Sequence, residues 1–400
     1  MIPDSSIHLW HEGTVTKNAQ VFNRTVIEVT GKRYNLWYSY APECASYISS
    51  TMDPQVIASI FFAMRYGNRL IAHGPVSKEL LKNLDRFQDV WTFWQADLYN
   101  KVELVAEEEL ESAAPVNEQA LVGFSGGVDS CFTVHRHLEG LCGRQTEEIG
   151  AALMIHGFDV PLEMADVFST AAESAESLLS PRGVPLLRLA SNWRQIMQDL
   201  QITWEDSHGA ALIACLSLFQ NGFGTGLLAS TLEYHPLIPW GSSPLTDPLL
   251  SSDRFRIVHD GADYPRQRKL PILATWPKAL DHLRVCWEHP ELAGNCCECE
   301  KCIRTMLGFR VMGMPLPSAF PRDVSDRQIR HIEIVNSTAY HEFSLVLQEA
   351  IRAGIEEESW VRALTQAMER YGRKESPIVA LRRRLKLRTR VKSLLGIAPA

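Results

Sequence analysis

The sequence predicts an α/β protein with a doubly wound parallel sheet, and three observations lead to this class. From residue 118 onward, short apolar segments of strand length alternate with longer segments of helical pattern, which is the order expected of a parallel sheet flanked by helices. The first of these strands ends in a turn that contains Gly126 and Gly127, at the position where open parallel sheets bind their ligands. Of the 400 residues, 46% are hydrophobic and 22% are charged, as in ordinary globular domains.

Residues 1–112 are predicted to form a small α+β region. Two segments rich in β-branched and aromatic residues flank Gly31 and indicate a hairpin. The acid-rich stretch 107–115, which also contains a proline, is predicted to be a linker. The predicted elements are strands over 24–30, 33–39, 69–74 and 101–106 and helices over 54–66 and 77–98.

Residues 118–310 are predicted to form the main domain, and residues 320–400 a helical carboxyl-terminal extension. Short apolar runs separated by helices indicate parallel strands that are buried on both faces. The predicted strands span 120–124, 149–155, 184–190, 224–230 and 254–260, and the helices between them span about 129–140, 163–180, 192–200 and 208–221.

The charge distribution is uneven along the chain. The net charge is −7, but residues 381–400 carry seven basic residues and no acid, so the remainder has 33 basic against 47 acidic residues. An acidic body argues against a protein that coats nucleic acid, and no direct nucleic-acid signature is present. The basic tail is expected to meet an anionic membrane surface or an acidic partner, or to be a solvated terminal helix.

The glycine turn carries the residue types that bind phosphate. Gly126 and Gly127 allow the backbone to approach a bulky anion, while Ser125 and Ser130 offer hydroxyl donors. Asp129 offers a carboxylate for a magnesium ion that bridges phosphate oxygens. The Walker and Rossmann glycine patterns are both absent, so a P-loop kinase, a GTPase or a Rossmann dinucleotide-binding protein is not expected.

A different interpretation of the same turn is a serine hydrolase. Gly123 to Gly127 matches the G-x-S-x-G nucleophile elbow. Ser125 would then be the nucleophile, with Asp247 and His259 as its partners. This interpretation leaves Asp129 and the cysteine cluster described next without a role. A plain glycine turn remains a third alternative.

Nine cysteines are present, and five of them fall within residues 286–302. This clustering, in a sequence without a visible secretion signal, predicts a metal site in a reducing cytoplasm rather than a disulfide framework. Four thiolates close a tetrahedral zinc site. Cys297 is the spare thiol and could replace its neighbour as a ligand, and an iron–sulfur cluster is the competing assignment. The predicted zinc ligands are Cys286, Cys296, Cys299 and Cys302.

The block from Ser125 to Ser130, Ser-Gly-Gly-Val-Asp-Ser, resembles the signature of the PP-loop ATP pyrophosphatases. With the late cysteine cluster, the chain is most similar to the 7-cyano-7-deazaguanine synthases over about residues 118–310. The added segments at both ends are departures from that family, as is Cys297, where the family usually has glycine. The resemblance implies a PP-loop fold of the adenine nucleotide α-hydrolase type. It also implies that ATP is bound by Ser125, Gly126, Gly127, Val128, Asp129 and Ser130.

The resemblance further implies an ATP-dependent carbon–nitrogen ligase. In such an enzyme a carboxylate or amide oxygen of the acceptor attacks the α-phosphorus, pyrophosphate leaves, and a nitrogen nucleophile completes the reaction. Lys269 is the basic residue expected to neutralise charge on the phosphates, and His156 is expected to lie near the adenosine. Replacement of Asp129 is expected to stop ATP turnover and to leave the fold intact.

The expected partners follow from this assignment. The acceptor is a small molecule or a modified base, and because no glutaminase half is visible, free ammonia or a partner protein would supply the nitrogen. The zinc ion would be structural, since protein ligands fill all four positions. A non-catalytic ATP- or zinc-binding interaction module is the non-enzymatic alternative, and a homodimer is an assembly that the sequence leaves open.

Overall fold

The computed structural model describes residues 5–111, 114–234, 237–286, 288–289 and 291–372. These residues fall into two compact units, the first extending to Gly294 and the second beginning at Asn295. Within the described ranges, no helix is both long enough and apolar enough to cross a lipid bilayer. The predicted basic tail, 381–400, lies outside the described residues.

The first unit is built on one ten-stranded sheet, in which the described strands run in the order β10-β9-β6-β7-β8-β3-β2-β1-β4-β5. Six of the nine neighbouring pairs are parallel and three are antiparallel. The strands are β1 Ser6–Lys17, β2 Gln20–Val29, β3 Lys32–Tyr40, β4 Arg69–Ser77, β5 Glu103–Leu110, β6 Ala120–Gly123, β7 Ile149–His156, β8 Leu186–Ser191, β9 Thr225–Ala229 and β10 Arg256–Asp260.

Helices accompany the sheet in the first unit and dominate the second. In the first unit α1 packs against α6, and α3 packs against α7. In the second unit α9 packs against α11, and a further helical segment covers 359–372. The helices are α1 Asp53–Tyr66, α2 Lys78–Trp94, α3 Val128–Leu138, α4 Ala165–Leu179, α5 Trp193–Asp199, α6 Trp204–Ser217, α7 Arg266–Leu273, α8 Pro277–Asp281, α9 Glu300–Val311, α10 Asp326–His331 and α11 Ser337–Arg352.

The predicted α/β class is confirmed, since the sheet is mostly parallel and alternates with helices along the chain. The five strands predicted between 120 and 260 are all present, within a few residues of their expected ends. Ala120, Leu121 and Val122 of β6 are each fully buried. Because successive side chains of a strand point to opposite faces, both faces of the sheet are covered at β6. This arrangement is compatible with a doubly wound sheet.

The amino-terminal strands continue the same sheet, which the sequence analysis did not predict. β3 pairs antiparallel with β8, so that Ser39 lies opposite Ala190. β1 was not predicted at all. Its hairpin to β2 turns at Asn18 and Ala19, which have positive φ angles, and only the first of them is a residue type typical of such a turn.

The predicted linker at 107–115 is wrong in its first part. β5 extends to Leu110 and pairs in parallel with β4, with Leu110 opposite Ser77. β5 is an edge strand of the sheet, and its three consecutive glutamates are exposed. Charged side chains on an edge strand discourage pairing with another chain. The acidic composition that suggested a linker is therefore typical of a protected edge.

Strand order places the ligand-binding end of the sheet at β6. From β6 the chain proceeds to β7 and β8 on one side, and later to β9 and β10 on the other. The carboxyl ends of β6 and β9 thus flank the point where the strand order reverses. In open α/β sheets this switch point is where ligands bind, and the glycine turn directly follows β6.

Candidate functional site

The loop between β6 and α3 has the backbone shape of an anion-binding turn. Gly126 has a φ of +75°, in the left-handed region that glycine adopts without steric cost. Gly127 is the N-cap of α3 and provides no side-chain cap. The first N–H groups of α3 therefore lack partners within the helix. Together with the helix dipole, these groups favour an anion at this point.

Two serine hydroxyls tie the loop together. Oγ of Ser130 donates to the carbonyl oxygen of Gly127 at 3.2 Å and lies 3.4 Å from Oγ of Ser125. The backbone N–H of Ser125 donates to Oγ of Ser130 at 3.3 Å, and that of Gly127 donates to Oγ of Ser125 at 3.4 Å. Ser130 is buried and Ser125 is exposed. Ser125 therefore presents its hydroxyl at the surface of the turn.

Asp129, the acid of the loop, is held by two cations of α7. Nη2 of Arg266 donates to Oδ2 of Asp129 at 2.5 Å, and Nζ of Lys269 donates to Oδ1 at 2.9 Å. Lys269 also donates to the carbonyl oxygen of Ser230, just beyond β9, at 2.7 Å. Both cations are buried. Two buried cations therefore lie beside the acid of the loop.

This pairing changes one expectation from the sequence. Asp129 was expected to be dispensable for the fold, but it neutralises buried Lys269 and Arg266. Removal of one partner of a buried ion pair leaves an uncompensated charge and destabilises a protein by about 3–5 kcal/mol. The partners are 137 and 140 residues apart in the chain, and no local pattern indicates which acid a distant lysine contacts.

A second group with metal-binding chemistry, His137, Cys142 and Asp260, lies near α3 and β10, with its ligand atoms within 4.8 Å of one another. The guanidinium of Arg136 contacts two of these side chains: its Nε lies 2.8 Å from Sγ of Cys142 and 3.8 Å from Oδ1 of Asp260. Burial acts to raise the pKa of Asp260, but the His137 hydrogen bond and the Arg136 charge outweigh burial and hold this pKa below its ordinary value. The group is best explained as an ion-pair network.

The side chain of His156 is engaged in packing. It ends β7, and its Nε2 donates to the carbonyl oxygen of Pro161 at 2.8 Å. Its ring stacks on Phe168 with centroids 4.5 Å apart. Burial lowers the pKa of His156, so the ring stays neutral. Because the ring is engaged in these contacts, any contact of His156 with a nucleotide would be made by its backbone.

Asp247 and His259, the acid and base of the hydrolase alternative, are brought together. Nδ1 of His259 lies 2.7 Å from Oδ2 of Asp247, and both side chains are almost fully buried. The serine beside this pair is Ser242, whose Oγ donates to the same carboxylate oxygen at 2.7 Å. Among the described residues, Nε2 of His259 has no hydrogen-bond partner. In a hydrolase triad, Nε2 of the histidine is hydrogen-bonded to the hydroxyl of the nucleophilic serine. Ser125 instead contacts Ser130.

Four buried cysteines, Cys286, Cys296, Cys299 and Cys302, lie with their sulfur atoms within 4.8 Å of one another and could hold a metal ion such as zinc. Sγ of Cys296 and Sγ of Cys302 are 3.8 Å apart. A zinc–sulfur bond of about 2.3 Å places the sulfurs of a regular tetrahedron about 3.8 Å apart. The sulfurs of Cys296 and Cys302 therefore have the spacing that a zinc ion requires.

Backbone N–H groups point at the same sulfurs. Those of Glu298 and Cys299 donate to Sγ of Cys296 at 3.3 and 3.2 Å, and that of Cys302 donates to Sγ of Cys299 at 3.5 Å. Donors of this kind stabilise thiolates, the form that binds metal. The predicted ligand set is thus brought together.

Cys297 lies outside this group and has a φ of +62°. Cysteine is uncommon in this left-handed conformation, whereas glycine adopts it freely. We expect Cys297→Gly to keep the metal, because the four ligands are unchanged. Relief of about 1–2 kcal/mol of backbone strain should offset the loss of the buried side chain, leaving the unfolding free energy within about 1 kcal/mol of the wild type. Metal analysis measures the metal content, and urea denaturation measures the unfolding free energy. Loss of the metal in Cys297→Gly would show that Cys297 is a ligand.

Arg284 lies against the glycine loop, and the sequence analysis did not single it out. Its backbone N–H donates to the carbonyl oxygen of Gly126 at 2.9 Å. A Cβ placed on Gly126 would lie 3.7 Å from Cβ of Arg284. Arg284 is more than 150 residues from the loop in sequence and belongs to no recognisable motif, so no sequence signal connects the two.

Comparison of the chain with models of protein families, with curated proteins and with solved structures yields no match.

Proposed function

We propose that this chain is an ATP-dependent carbon–nitrogen ligase that adenylates a carboxylate or amide oxygen of its acceptor. The observation that carries the proposal is the Ser125–Ser130 loop at the switch point of the sheet, with two buried cations of α7 beside it. The loop supplies uncapped backbone N–H groups, and the two cations are donors close to it. Both favour a polyphosphate, and the resemblance to the PP-loop signature supports ATP as its source.

In the proposed reaction, an acceptor oxygen attacks the α-phosphorus of ATP and the bond to the β-phosphate breaks. Pyrophosphate leaves with the electron pair, and the loop N–H groups together with Lys269 stabilise its charge. The nitrogen nucleophile then attacks the adenylated carbon. AMP leaves, and the product is an amide. When the acceptor is itself an amide, the adenylated amide instead loses AMP and the proton of its nitrogen, without attack by a second nucleophile, and the product is a nitrile.

Asp129 also has the oxygen chemistry of a magnesium ligand. Both of its oxygens accept hydrogen bonds from cations, Oδ2 from Arg266 and Oδ1 from Lys269. An ion that arrives with ATP must therefore compete with these two side chains for Asp129. The proposal gives Asp129 two roles, as positioning residue for Lys269 and as magnesium ligand.

The nitrogen source and the acceptor are proposed at the level of chemical class. Free ammonia or a partner protein supplies the nitrogen, and the acceptor is a small molecule or a modified base. The loop that contains Ser242 and Asp247 follows the carboxyl end of β9, at the same end of the sheet as the glycine loop, and is proposed to form part of the acceptor pocket. The zinc ion is proposed to be structural, because four cysteines fill its coordination positions.

The adenylation step is tested by the exchange of label between pyrophosphate and ATP, measured with and without an acceptor. The protein is incubated with ATP, Mg²⁺ and labelled pyrophosphate, together with pools of carboxylic acids and amides. Reversible adenylation returns label to ATP only when an acceptor is present. Exchange with one pool, lost in Lys269→Met, supports the proposal; absence of exchange with every pool favours a non-catalytic binding module.

Replacement of Ser125 separates the two enzymatic interpretations. We expect Ser125→Ala to keep ATP turnover within about tenfold of the wild type, because the backbone N–H groups of the loop remain. The wild-type protein should not react with a fluorophosphonate probe, since among the described residues no histidine is hydrogen-bonded to Ser125. Labelling of the wild type that disappears in Ser125→Ala would instead identify a serine hydrolase.

A further inference from the structure

Two nitrogens of the Arg284 guanidinium are buried without a protein partner. Within the described part of the chain, Nε and Nη2 of Arg284 are inaccessible to solvent and have no hydrogen-bond partner. An arginine guanidinium carries a positive charge. A buried, charged donor without an acceptor is costly. Among the described residues no acceptor meets these two nitrogens, which is the environment expected at a site for a bound anion.

The backbone and Cβ of Arg284 lie beside the glycine loop. Its N–H donates to the carbonyl oxygen of Gly126, and its own carbonyl oxygen would lie 3.6 Å from a Cβ on Gly127. The Arg284 side chain thus begins beside the loop, since its Cβ would lie 3.7 Å from a Cβ on Gly126. A guanidinium binds two phosphate oxygens at once, which suits a pyrophosphate unit.

The four-cysteine cluster is linked to the same segment. Cys286, one of its members, is two residues after Arg284. Two residues of chain span at most about 7 Å. A metal ion that fixes Cys286 therefore also restricts where Arg284 can lie. The backbone bond to Gly126 restrains the segment from the other side.

We infer that Arg284 is a ligand of the pyrophosphate unit of ATP, and that the metal bound by the cysteine cluster holds Arg284 in place. The inference rests on the proposed function, since it assumes that the loop binds a polyphosphate. It adds a binding residue on a separate segment and gives the metal an effect on nucleotide affinity.

Binding of inorganic pyrophosphate and of ATP, measured by calorimetry on the metal-loaded full-length chain, tests the first part. We expect Arg284→Met to weaken both by about 10- to 100-fold, the effect of one charge-assisted contact, with its metal content unchanged. Arg33→Met, which removes an exposed arginine of the amino-terminal hairpin, should bind like the wild type. Equal binding by Arg284→Met would overturn the inference and leave the proposed function standing, whereas no binding by the wild type would overturn both.

The rate of metal release to a coloured chelator tests the second part. At saturating pyrophosphate, release from the wild type should slow by at least about fivefold, because bound pyrophosphate holds Arg284 and with it the segment that carries Cys286. Arg284→Met, also saturated, should show little slowing. Equal slowing in the two proteins, or a protein isolated without metal, would show that the cluster does not position Arg284.

Discussion

Cys302→Ser is expected to give a poorly soluble protein without bound metal. Cys302 is fully buried, and its sulfur lies within the four-cysteine group. Structural zinc contributes roughly 10–16 kcal/mol of apparent binding free energy in small peptides. The net stability of a whole domain is only about 5–15 kcal/mol. Loss of one ligand should therefore unfold the region around 286–310 and not merely slow a reaction.

Metal analysis and hydrogen exchange measure this outcome. The wild type should contain one zinc ion per chain, and exchange protection should be lost around 286–310 in Cys302→Ser. Cys297→Gly is the matched control, because it alters a neighbouring buried cysteine outside the cluster. A brown wild-type protein that contains iron and labile sulfide would show that the four cysteines bind an iron–sulfur cluster instead of zinc. Full zinc content in Cys302→Ser would contradict the ligand assignment itself.

Asp129→Asn is expected to reduce ATP turnover by at least about 1,000-fold and to destabilise the fold. The substitution keeps the shape of the side chain but removes the charge that neutralises Lys269 and Arg266. With those cations buried, we expect a loss of about 3–5 kcal/mol in the unfolding free energy. Steady-state release of pyrophosphate and urea denaturation measure the two effects separately.

A double variant separates the role of Asp129 in catalysis from its role in stability. Asp129→Asn combined with Lys269→Met removes one negative and one positive charge and restores the local balance. We expect this protein to recover most of the lost stability while ATP turnover stays absent. Normal turnover in Asp129→Asn would remove the basis for assigning the loop to ATP.

Much of the fold was predictable because its signals are local. The apolar runs of β6 to β10 and the helices between them follow from periodicity, and the glycine loop follows from its composition and its position after β6. The cysteine ligands were predictable because three of them have two-residue spacing around one helix start. In each case the residues that carry the signal are close in sequence.

The remaining features depend on partners far apart in the chain. The pairing of β3 with β8 joins segments that are 150 residues apart, and either strand would be equally regular as part of another sheet. The contacts of Asp129 with α7 and of Arg284 with Gly126 also join distant segments. An acidic edge strand and an acidic linker have the same composition, so β5 was recognisable only from its hydrogen bonds.

The products formed from ATP test the central claim most directly. The protein is incubated with ATP, Mg²⁺, ammonium and the acceptor pool that supports exchange, and the phosphorus-containing products are identified by ³¹P NMR. The account predicts AMP and pyrophosphate in equal amounts from the wild type and neither from Asp129→Asn. Formation of ADP and phosphate would contradict it, because the β–γ bond would then have been cleaved instead of the α–β bond.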